Sequence, residues 1–583
     1  MKAATFIAHF LQASRVSHVF ELVGGMIVHI LDAISTDTSI TIVSCHHEQA
    51  AGFSAEGHAR MTGIPGVALA TSGPGATNLL TAIGSCYFDS TPAVFITGQV
   101  NTHELKGQRG IRQLGFQETD IVSMALPICK SAVQVQTASE LPGALSEAFK
   151  TALEGRQGPC LVDIPMNVQA DDIDEDLAQQ FLSQHVTASP VSLQPSSQHH
   201  LSQRFSALQY AVDHAERPLL LMGGGCATVA NRSAARWIAE KLAVPIVFSL
   251  MAVDLLAHDH PLRVGFIGSY GNRWANIALA EADVLIVIGS RLDIRQTGSD
   301  LASFCAGKEI WQIDIDSAEM GVRVQPQHTI SCSIQEAAKF VSERPKLLSP
   351  KDSAWIQRIN SLRGQYPLAA EYTARPDEIH PTNFLVSLSR KVTGPCCYVT
   401  DVGQHQMWAA QSLSFDGQAR FLTSGGMGAM GFGLPASIGA ALSNPEAVTV
   451  LMSGDGSFQL NIQELETMRR NNLNIKIIVF NNDCHGMVRQ FQESYFEGRV
   501  QSTVKGYSTP DFVSICAAYA IPSIRLTAAL SVEESLDWLL ASPGPSFLEV
   551  PLSMASKVYP KLAFGRPFGS MEPDVTPLAM EST

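Results

Sequence analysis

The stretch GDGSFQLNIQELETMRRNNLNIKIIVFNND (454–483) opens on Gly-Asp-Gly and closes on a paired asparagine, with residues 457–480 between them. Upstream, VTVLMS (448–453) is short and largely apolar, and IKIIVF (475–480) has the same character. Between them, QLNIQELETMRRN (459–471) puts Leu460, Leu465 and Met468 on one helical side. Strand, helix and strand at these lengths predict a parallel βαβ crossover. Both strands then end at one edge of the sheet. Asp455 and the pair Asn481–Asn482 meet at that carboxyl edge, where open α/β sheets bind ligands. An Asp carboxylate beside an Asn amide oxygen is a hard-oxygen pair. It suits Mg2+, which takes few protein ligands and completes its octahedron with phosphate oxygens and water. Gly454 and Gly456 let backbone N–H groups approach a phosphate, and a helix from about 458 adds a positive dipole end. The spacing points to a metal-bridged diphosphate.

The same pattern is written twice. VALATSGPGATNLL (67–80) matches VTVLMSGDGSFQLN (448–461): an apolar strand, Ser-Gly-x-Gly, then a helix start. GPCLVDIP (158–165) matches GPSFLEVP (544–551) at nearly the same offset. The first and last thirds therefore share one α/β fold by duplication. Pro74 stands where the second copy has Asp455, so the first turn cannot ligate a cation through that side chain.

The middle third reads as another parallel sheet: PLLLMGGG (218–225), VPIVF (244–248), ADVLIVIGSR (282–291) and EIWQIDID (309–316). Ser-, Gln- and Asp-rich residues after 170 and the Pro/Ser/Lys break near 342–353 read as linkers. The expected organisation is α/β throughout, with three doubly wound parallel-sheet domains at 1–170, 206–345 and 378–553. Linkers fall at 171–205 and 346–377, and a tail at 554–583.

Composition narrows the class. The chain has 583 residues, too many for a single core, and 45% are hydrophobic against 16% charged. A net charge of -14 disfavours a nucleic-acid partner, because neutralising phosphates needs a basic face. No apolar run approaches a membrane span, and MKAATFIAHFLQASRV (1–16) reads as an amphipathic helix rather than a signal peptide. Eleven scattered cysteines without Cys-x-x-Cys suggest reduced thiols in a cytoplasmic protein.

Gly-Asp-Gly, some two dozen residues, then Asn-Asn resembles the thiamin-diphosphate motif. The resemblance runs over nearly the whole chain and is strongest to the acetolactate synthase group. It is carried by CHHEQAAGFSAEGHAR (45–60), TSGPGATN (71–78), GFQETD (115–120), VGQHQMWAAQ (402–411) and TSGGMGAMGFGLPASIGA (423–440), in the expected order. It implies pyrimidine-binding, central and diphosphate-binding domains, and a homo-oligomer, dimer or tetramer, in which the first and third domains of different chains build each site.

Residue by residue, the resemblance implies that Asp455, Asn482 and the backbone carbonyl of Cys484 ligate Mg2+. Gln404, His405, Gly454, Gly456, Ser457, His485 and Gly486 fall at the diphosphate end. Met430 resembles the apolar wedge that bends the cofactor, and Gly428 the carbonyl that accepts from its pyrimidine amine. Glu48 resembles the activating acid: a carboxyl at the pyrimidine N1' helps the exocyclic amine take the C2 proton at close range. Phe116 and Gln117 stand where pyruvate decarboxylases carry a His-His pair, which favours ligation of a ketone acceptor over protonation. Arg295 resembles the arginine that meets the acceptor carboxylate, a good bidentate match. Met487 and Phe491 line the acceptor pocket. Phe491 replaces the usual Trp, which puts 2-ketobutyrate preference in doubt.

In the central domain, Gly223, Gly224, Gly225, Arg291 and Asp314 are the expected contacts of a non-redox FAD. The reaction implied is decarboxylation of pyruvate and transfer of the two-carbon unit to a second pyruvate. GNRWAN (271–276) and YPKLAFGRPFGSMEP (559–573) depart from the biosynthetic synthases. They resemble relatives that use a nucleotide-linked 4-keto-deoxysugar as acceptor, which is the alternative reading. A non-catalytic subunit is a third, opposed by intact Glu48, Asp455 and Asn482.

Overall fold

The fold is that of a computed structural model, which describes residues 1–183, 195–342, 353–371, 378–527 and 530–579. Three six-stranded sheets carry it. The first has β1 (His18–Leu22), β2 (Thr41–Ser44), β3 (Gly66–Ala70), β4 (Ala93–Gln99), β5 (Ser131–Gln134) and β6 (Pro159–Pro165) in the order β2-β1-β3-β4-β6-β5, all parallel. The second has β7 (Pro218–Met222), β8 (Ile246–Phe248), β9 (Arg263–Phe266), β10 (Val284–Ile288), β11 (Glu309–Asp314) and β12 (His328–Ser331) in the order β12-β11-β10-β7-β8-β9. The third has β13 (Cys396–Thr400), β14 (Arg420–Leu422), β15 (Val448–Gly454), β16 (Ile475–Asn481), β17 (Ser523–Arg525) and β18 (Ser546–Pro551) in the order β14-β13-β15-β16-β18-β17.

The first and third orders are the same permutation. The repeated motifs lie on matching strands, β3 with β15 and β6 with β18. The duplication read from two short matches therefore extends to whole-sheet topology. The second sheet has a different order, with its direction of winding reversing between β10 and β7. Central strands such as β3, β4, β6 and β10 are buried along their whole length, as parallel strands covered on both faces must be.

The chain divides into two compact units. The first holds Met1–Pro190 with Ser424–Thr449 and Phe458–Ile475; the second holds Val191–Thr423, Val450–Ser457 and Lys476–Thr583. In the first unit the helices Glu48–Thr62 and Gly433–Ser443 pack backbone to backbone. A Cβ at Gly439 would come to 1.9 Å from Ser54 O, and one at Gly57 to 2.3 Å from Ala436 O. Ser54 Oγ donates to Pro435 O at 2.9 Å across the same seam. Glu464 adds a second tie, accepting from His46 N at 2.9 Å and from Thr467 Oγ at 2.7 Å.

In the second unit, Leu562, Phe568 and Met571 of the tail join the core of the central sheet, beside Leu285, Val287 and Phe304. A short antiparallel pair, β19 (Lys561–Leu562) with β20 (Met571–Glu572), presents them.

Two stretches read as linker carry helix. Glu175–Leu182 is capped by Asp174, whose Oδ1 accepts from Leu177 N at 3.0 Å, and Pro195–His214 begins inside the first linker. In the second, Ala354–Gln365 buries Trp355, Ile359 and Leu362. These short apolar faces outweigh the polar composition that suggested a linker. Residues 184–194, 346–352 and 372–377 of the expected linkers, and 580–583 of the tail, lie outside the described residues. The helix expected over 459–471 is a 3-10 turn, Gln459–Asn461, followed by a helix from Glu464 to Arg470. No described helix is long and apolar enough to cross a membrane. Ten of the eleven cysteines are buried, Cys305 being half-buried.

Candidate active site

The carboxyl ends of β15 and β16 meet as the crossover requires. Asp455 Oδ1 accepts from Gly456 N at 2.8 Å, and its carboxylate also takes the backbone N–H groups of Cys484 and Asp483. Burial still dominates and pushes the carboxyl up to about 7, with the neighbouring Asp483 charge adding to the rise. An acid held this far from water is stabilised as a carboxylate by a cation.

The two asparagines separate by role. Asn481 turns back into the sheet: its Nδ2 donates to Glu549 Oε1 at 2.8 Å and its Oδ1 accepts from Asp483 N at 3.0 Å. Asn482 is buried, and its Nδ2 donates to Gln404 Oε1 at 3.0 Å, which turns its Oδ1 away from that bond. Gln404 is itself fixed, donating from Nε2 to Ser556 O at 2.9 Å. Its side chain thus orients Asn482, a role that spacing did not reveal. Among the described residues no cluster of three His, Cys, Asp or Glu forms a metal site. A set made of the Asp455 carboxylate and an amide oxygen from Asn482 would suit Mg2+ rather than zinc.

Gly454 and Gly456 lie against two histidines. A Cβ at Gly454 would come to 2.9 Å from His405 Nδ1, and one at Gly456 to 2.6 Å from His485 Cε1. His405 is buried, its Nε2 makes no hydrogen bond with any described residue, and burial drives the imidazole down to about 3. The ring already bonds the Asp401 backbone through its other nitrogen, so Nε2 could donate to an acceptor-rich group such as a diphosphate only with the imidazole protonated, a form that the group's negative charge would favour. Ser457 Oγ accepts from Gly454 N at 3.2 Å and closes the turn. Gly486 is enforced by contact, since a Cβ there would come to 2.0 Å from Gln404 Oε1. Tyr507, which the sequence did not single out, packs tilted against His485 with ring centroids 4.3 Å apart; burial first, then Asp455, pushes its phenol up.

In the first unit a second group of predicted residues gathers. Glu48 opens the helix Glu48–Thr62, is 6% exposed, and its Oε2 accepts from Asn78 Nδ2 at 2.9 Å. Its Oε1 lies over the TSGPG turn, where a Cβ at Gly75 would come within 3.2 Å of it. Gln117 packs on the same turn, 3.0 Å from a Cβ built at Gly73. It holds φ at +66°, a strained value for a non-glycine residue of the kind found at functional sites. Phe116 beside it is 79% exposed. Gly428 has φ +66° with open space around a Cβ, and Met430 is half-buried two residues on. Asn78, which holds Glu48, was missed; nothing in the spacing links it to that acid.

In the second unit, Met487 and Phe491 share one face of the helix Gly486–Tyr495. Phe491 is 40% exposed, with Tyr495 at 4.9 Å and Phe496 at 5.8 Å between ring centroids. Arg295 is exposed, in the short helix Ile294–Thr297, and its charge bears on the buried Tyr270, whose phenol burial pushes up to about 12. Gly223–Gly225, Arg291 and Asp314 sit at the carboxyl ends of β7, β10 and β11, which are neighbours in the sheet. Two of the three glycine N–H groups are already bonded, Gly223 N to Ile288 O at 2.9 Å and Gly225 N to Gly289 O at 3.1 Å. A Cβ at Gly223 would come to 2.2 Å from Gly289 O, so loop packing explains that glycine.

Comparison with known proteins fits these findings. The thiamine pyrophosphate enzyme N-terminal TPP binding domain matches residues 1–124, the central domain matches 206–341, and the C-terminal TPP binding domain matches 401–550. Fold and site together define a thiamin-diphosphate-dependent enzyme. The chain is 37% identical over 564 residues to the acetolactate synthase isozyme 1 large subunit of Escherichia coli (strain K12), covering 96% of each. It is 36% identical over 560 residues to the isozyme 2 large subunit of the same organism, covering 96% of this chain and 97% of that one. It is 35% identical over 588 residues to acetolactate synthase 1, chloroplastic, of Oryza sativa subsp. japonica, covering 98% and 87%. The chain belongs to the acetolactate synthase family of thiamin-diphosphate-dependent enzymes, which form C–C bonds.

Proposed function

We propose that the chain is the catalytic subunit of an acetolactate synthase, joining the two-carbon unit from one pyruvate to the keto carbon of a second. The observation that carries this reading is Asp455, held by backbone N–H groups of the β16 loop beside an Asn482 whose amide nitrogen is engaged elsewhere. Asp455, Asn482 Oδ1 and the Cys484 carbonyl would hold Mg2+, and His405 Nε2 would face the diphosphate. Thiamin diphosphate, when bound, would supply a nucleophilic carbon for pyruvate and an electron sink for the pair left behind as CO2 departs.

The chain's own residues supply the rest. Glu48, steadied by Asn78, holds a proton at the pyrimidine N1' of a cofactor bound by a second copy of the chain; this makes a homo-oligomer obligatory. The Gly428 carbonyl would accept from the pyrimidine amine, and Met430 would supply an apolar contact beneath the cofactor. Arg295 pairs with the carboxylate of the acceptor pyruvate; its exposed guanidinium has no ion-pair partner among the described residues, which supports that role. Met487 and Phe491 form the apolar wall, with Phe116 and Gln117 beside the reacting carbon. FAD would lie at the point where the second sheet reverses its winding, the usual crevice for a dinucleotide. Arg291 would carry its phosphate charge there, since the Gly223 and Gly225 N–H groups are engaged.

The motif GNRWAN, which suggested a sugar acceptor, has a structural explanation. Arg273 is buried and paired with Glu371 at 2.6 Å, and it donates to Met571 O and Glu572 O of the tail. The two departures from the family pattern hold each other.

Incubation with pyruvate, thiamin diphosphate and Mg2+ tests the proposal: acetolactate should accumulate without another acceptor. Pyruvate consumption only in the presence of a nucleotide-linked 4-keto-deoxysugar would overturn it in favour of a branched-sugar synthase. A yellow colour surviving purification, with a flavin spectrum, tests the FAD assignment.

A further inference from the structure

The helix Leu80–Phe88 of the first unit ends at Asp89, whose side chain is 2% exposed. Its two carboxylate oxygens accept from successive backbone N–H groups: Gly425 N to Oδ2 at 3.0 Å and Gly426 N to Oδ1 at 2.5 Å. A side chain is excluded at 426, where a Cβ would come to 2.9 Å from Asp89 Oδ1 and from Phe88. Met427 lies along the same helix, its sulfur 3.1 Å from a Cβ built at Gly84. Ser424 Oγ accepts from Ala429 N at 3.1 Å and closes the loop. Gly428, with nothing within 4 Å of a Cβ, stands at the free tip of this loop, two residues ahead of Met430.

Behind Asp89 lie Glu56, fully buried, and Arg60. One Arg60 nitrogen is 3.7 Å from Glu56 Oε1 and 3.9 Å from Asp89 Oδ2. Burial and the Asp89 charge push the Glu56 carboxyl up. Arg60 lies within reach of both carboxyls, and Asp89 accepts from two backbone N–H groups.

We propose that Asp89 is a positioning residue for the carboligation: its carboxylate clamps the backbone at Gly425 and Gly426 and thereby sets the Gly428 carbonyl and the Met430 side chain against the cofactor's pyrimidine and thiazolium rings. This rests on the assignment of Gly428 and Met430 given above. A charged acid fully shielded from water is costly unless well bonded, and here its bonds go to one short loop that carries two cofactor contacts.

The test uses the full chain saturated with Mg2+ and thiamin diphosphate. Hydrogen–deuterium exchange at C2 of the bound cofactor is followed by acid quench and proton NMR. Asp89→Asn replaces one acceptor with a donor that opposes a backbone N–H. Exchange should slow by about ten-fold or more, since small misplacements of reacting groups cost that much. The KM for pyruvate should stay within about three-fold while kcat falls with the exchange rate. Gly426→Ala lifts the loop while leaving Asp89, Glu56 and Arg60 in place, and should give the same slowing; it serves if Asp89→Asn does not fold. Met430→Ala separates the two levels of the argument. If Met430→Ala slows exchange but folded Asp89→Asn and Gly426→Ala do not, the clamp is overturned and the Met430 assignment stands. If none of the three slows exchange, both are overturned.

Discussion

Asn482 Nδ2 donates to Gln404 Oε1 at 3.0 Å, and the same Gln404 donates from Nε2 to the Ser556 carbonyl at 2.9 Å. One carboxamide thus fixes the rotation of another. With its nitrogen engaged, Asn482 can present only its oxygen to a cation. Orientation of a ligand by a bonded neighbour typically affects metal affinity 10- to 100-fold.

Gln404→Ala should therefore weaken Mg2+ by about ten-fold. A Mg2+ titration of the protein's tryptophan fluorescence at saturating thiamin diphosphate would measure it. The urea midpoint should also fall, because truncation leaves the buried Asn482 Nδ2 without its acceptor, at a cost of about 1–3 kcal/mol. An unchanged Mg2+ midpoint would remove Gln404 from this role.

Glu48→Gln keeps the shape and the hydrogen bond from Asn78 available while removing the acid. Turnover, measured as CO2 released from pyruvate, should fall by about a hundred-fold or more, the usual contribution of a positioned proton-transfer group. Thiamin diphosphate affinity by calorimetry should stay within about three-fold, since the diphosphate end is untouched.

Gly439→Ala probes the helix seam of the first unit. The added methyl would start 1.9 Å from Ser54 O, a backbone atom that cannot swing aside. Overpacking of this kind costs about 3 kcal/mol or more. The urea midpoint should drop accordingly, and a midpoint within error of the parent would show that the seam can open.

His58 gives stability a pH dependence of known sign. It is 2% exposed, and burial, helped by His18, lowers its imidazole to about 4 from an ordinary 6.5. Folded His58 is neutral where the unfolded chain takes a proton, so its penalty is absent above pH 6.5 and grows as pH falls toward 4. The slope should be about 1.4 kcal/mol per pH unit in that window. Chemical unfolding of the parent and of His58→Gln between pH 6.5 and 5 isolates this contribution from that of His405: the parent should lose stability relative to the variant as pH falls.

What the sequence revealed follows from which rules are local. Asp455 and Asn482 could be paired because a βαβ crossover forces consecutive strand ends together whatever the rest of the chain does. The duplication was visible because strand-and-turn patterns survive in short windows such as 67–80 and 448–461. Glu48 needed a family motif, since nothing near it in sequence marks it as reactive. The roles of Asn78, Gln404 and Tyr507 depend on side-chain rotation and on partners far along the chain, which spacing does not encode. The helix Glu175–Leu182 was hidden by composition, although Asp174 followed by two acids in the first turn is a capping signal that could have exposed it. The grouping of Ser424–Thr449 with the first third was also out of reach, because it arises from glycine-to-backbone contact between two helices distant in sequence.

The far end of the chain is wired to the loop that carries Asn482. Val558 is held in both directions by Gln490, N to Oε1 at 2.9 Å and O from Nε2 at 3.1 Å, and Ser556 O accepts from both Gln404 and Arg489. A protease cutting just ahead of Ser556 would loosen this latch, and the first group freed would be the Gln404 carboxamide that holds Asn482 rather than the sheet behind it.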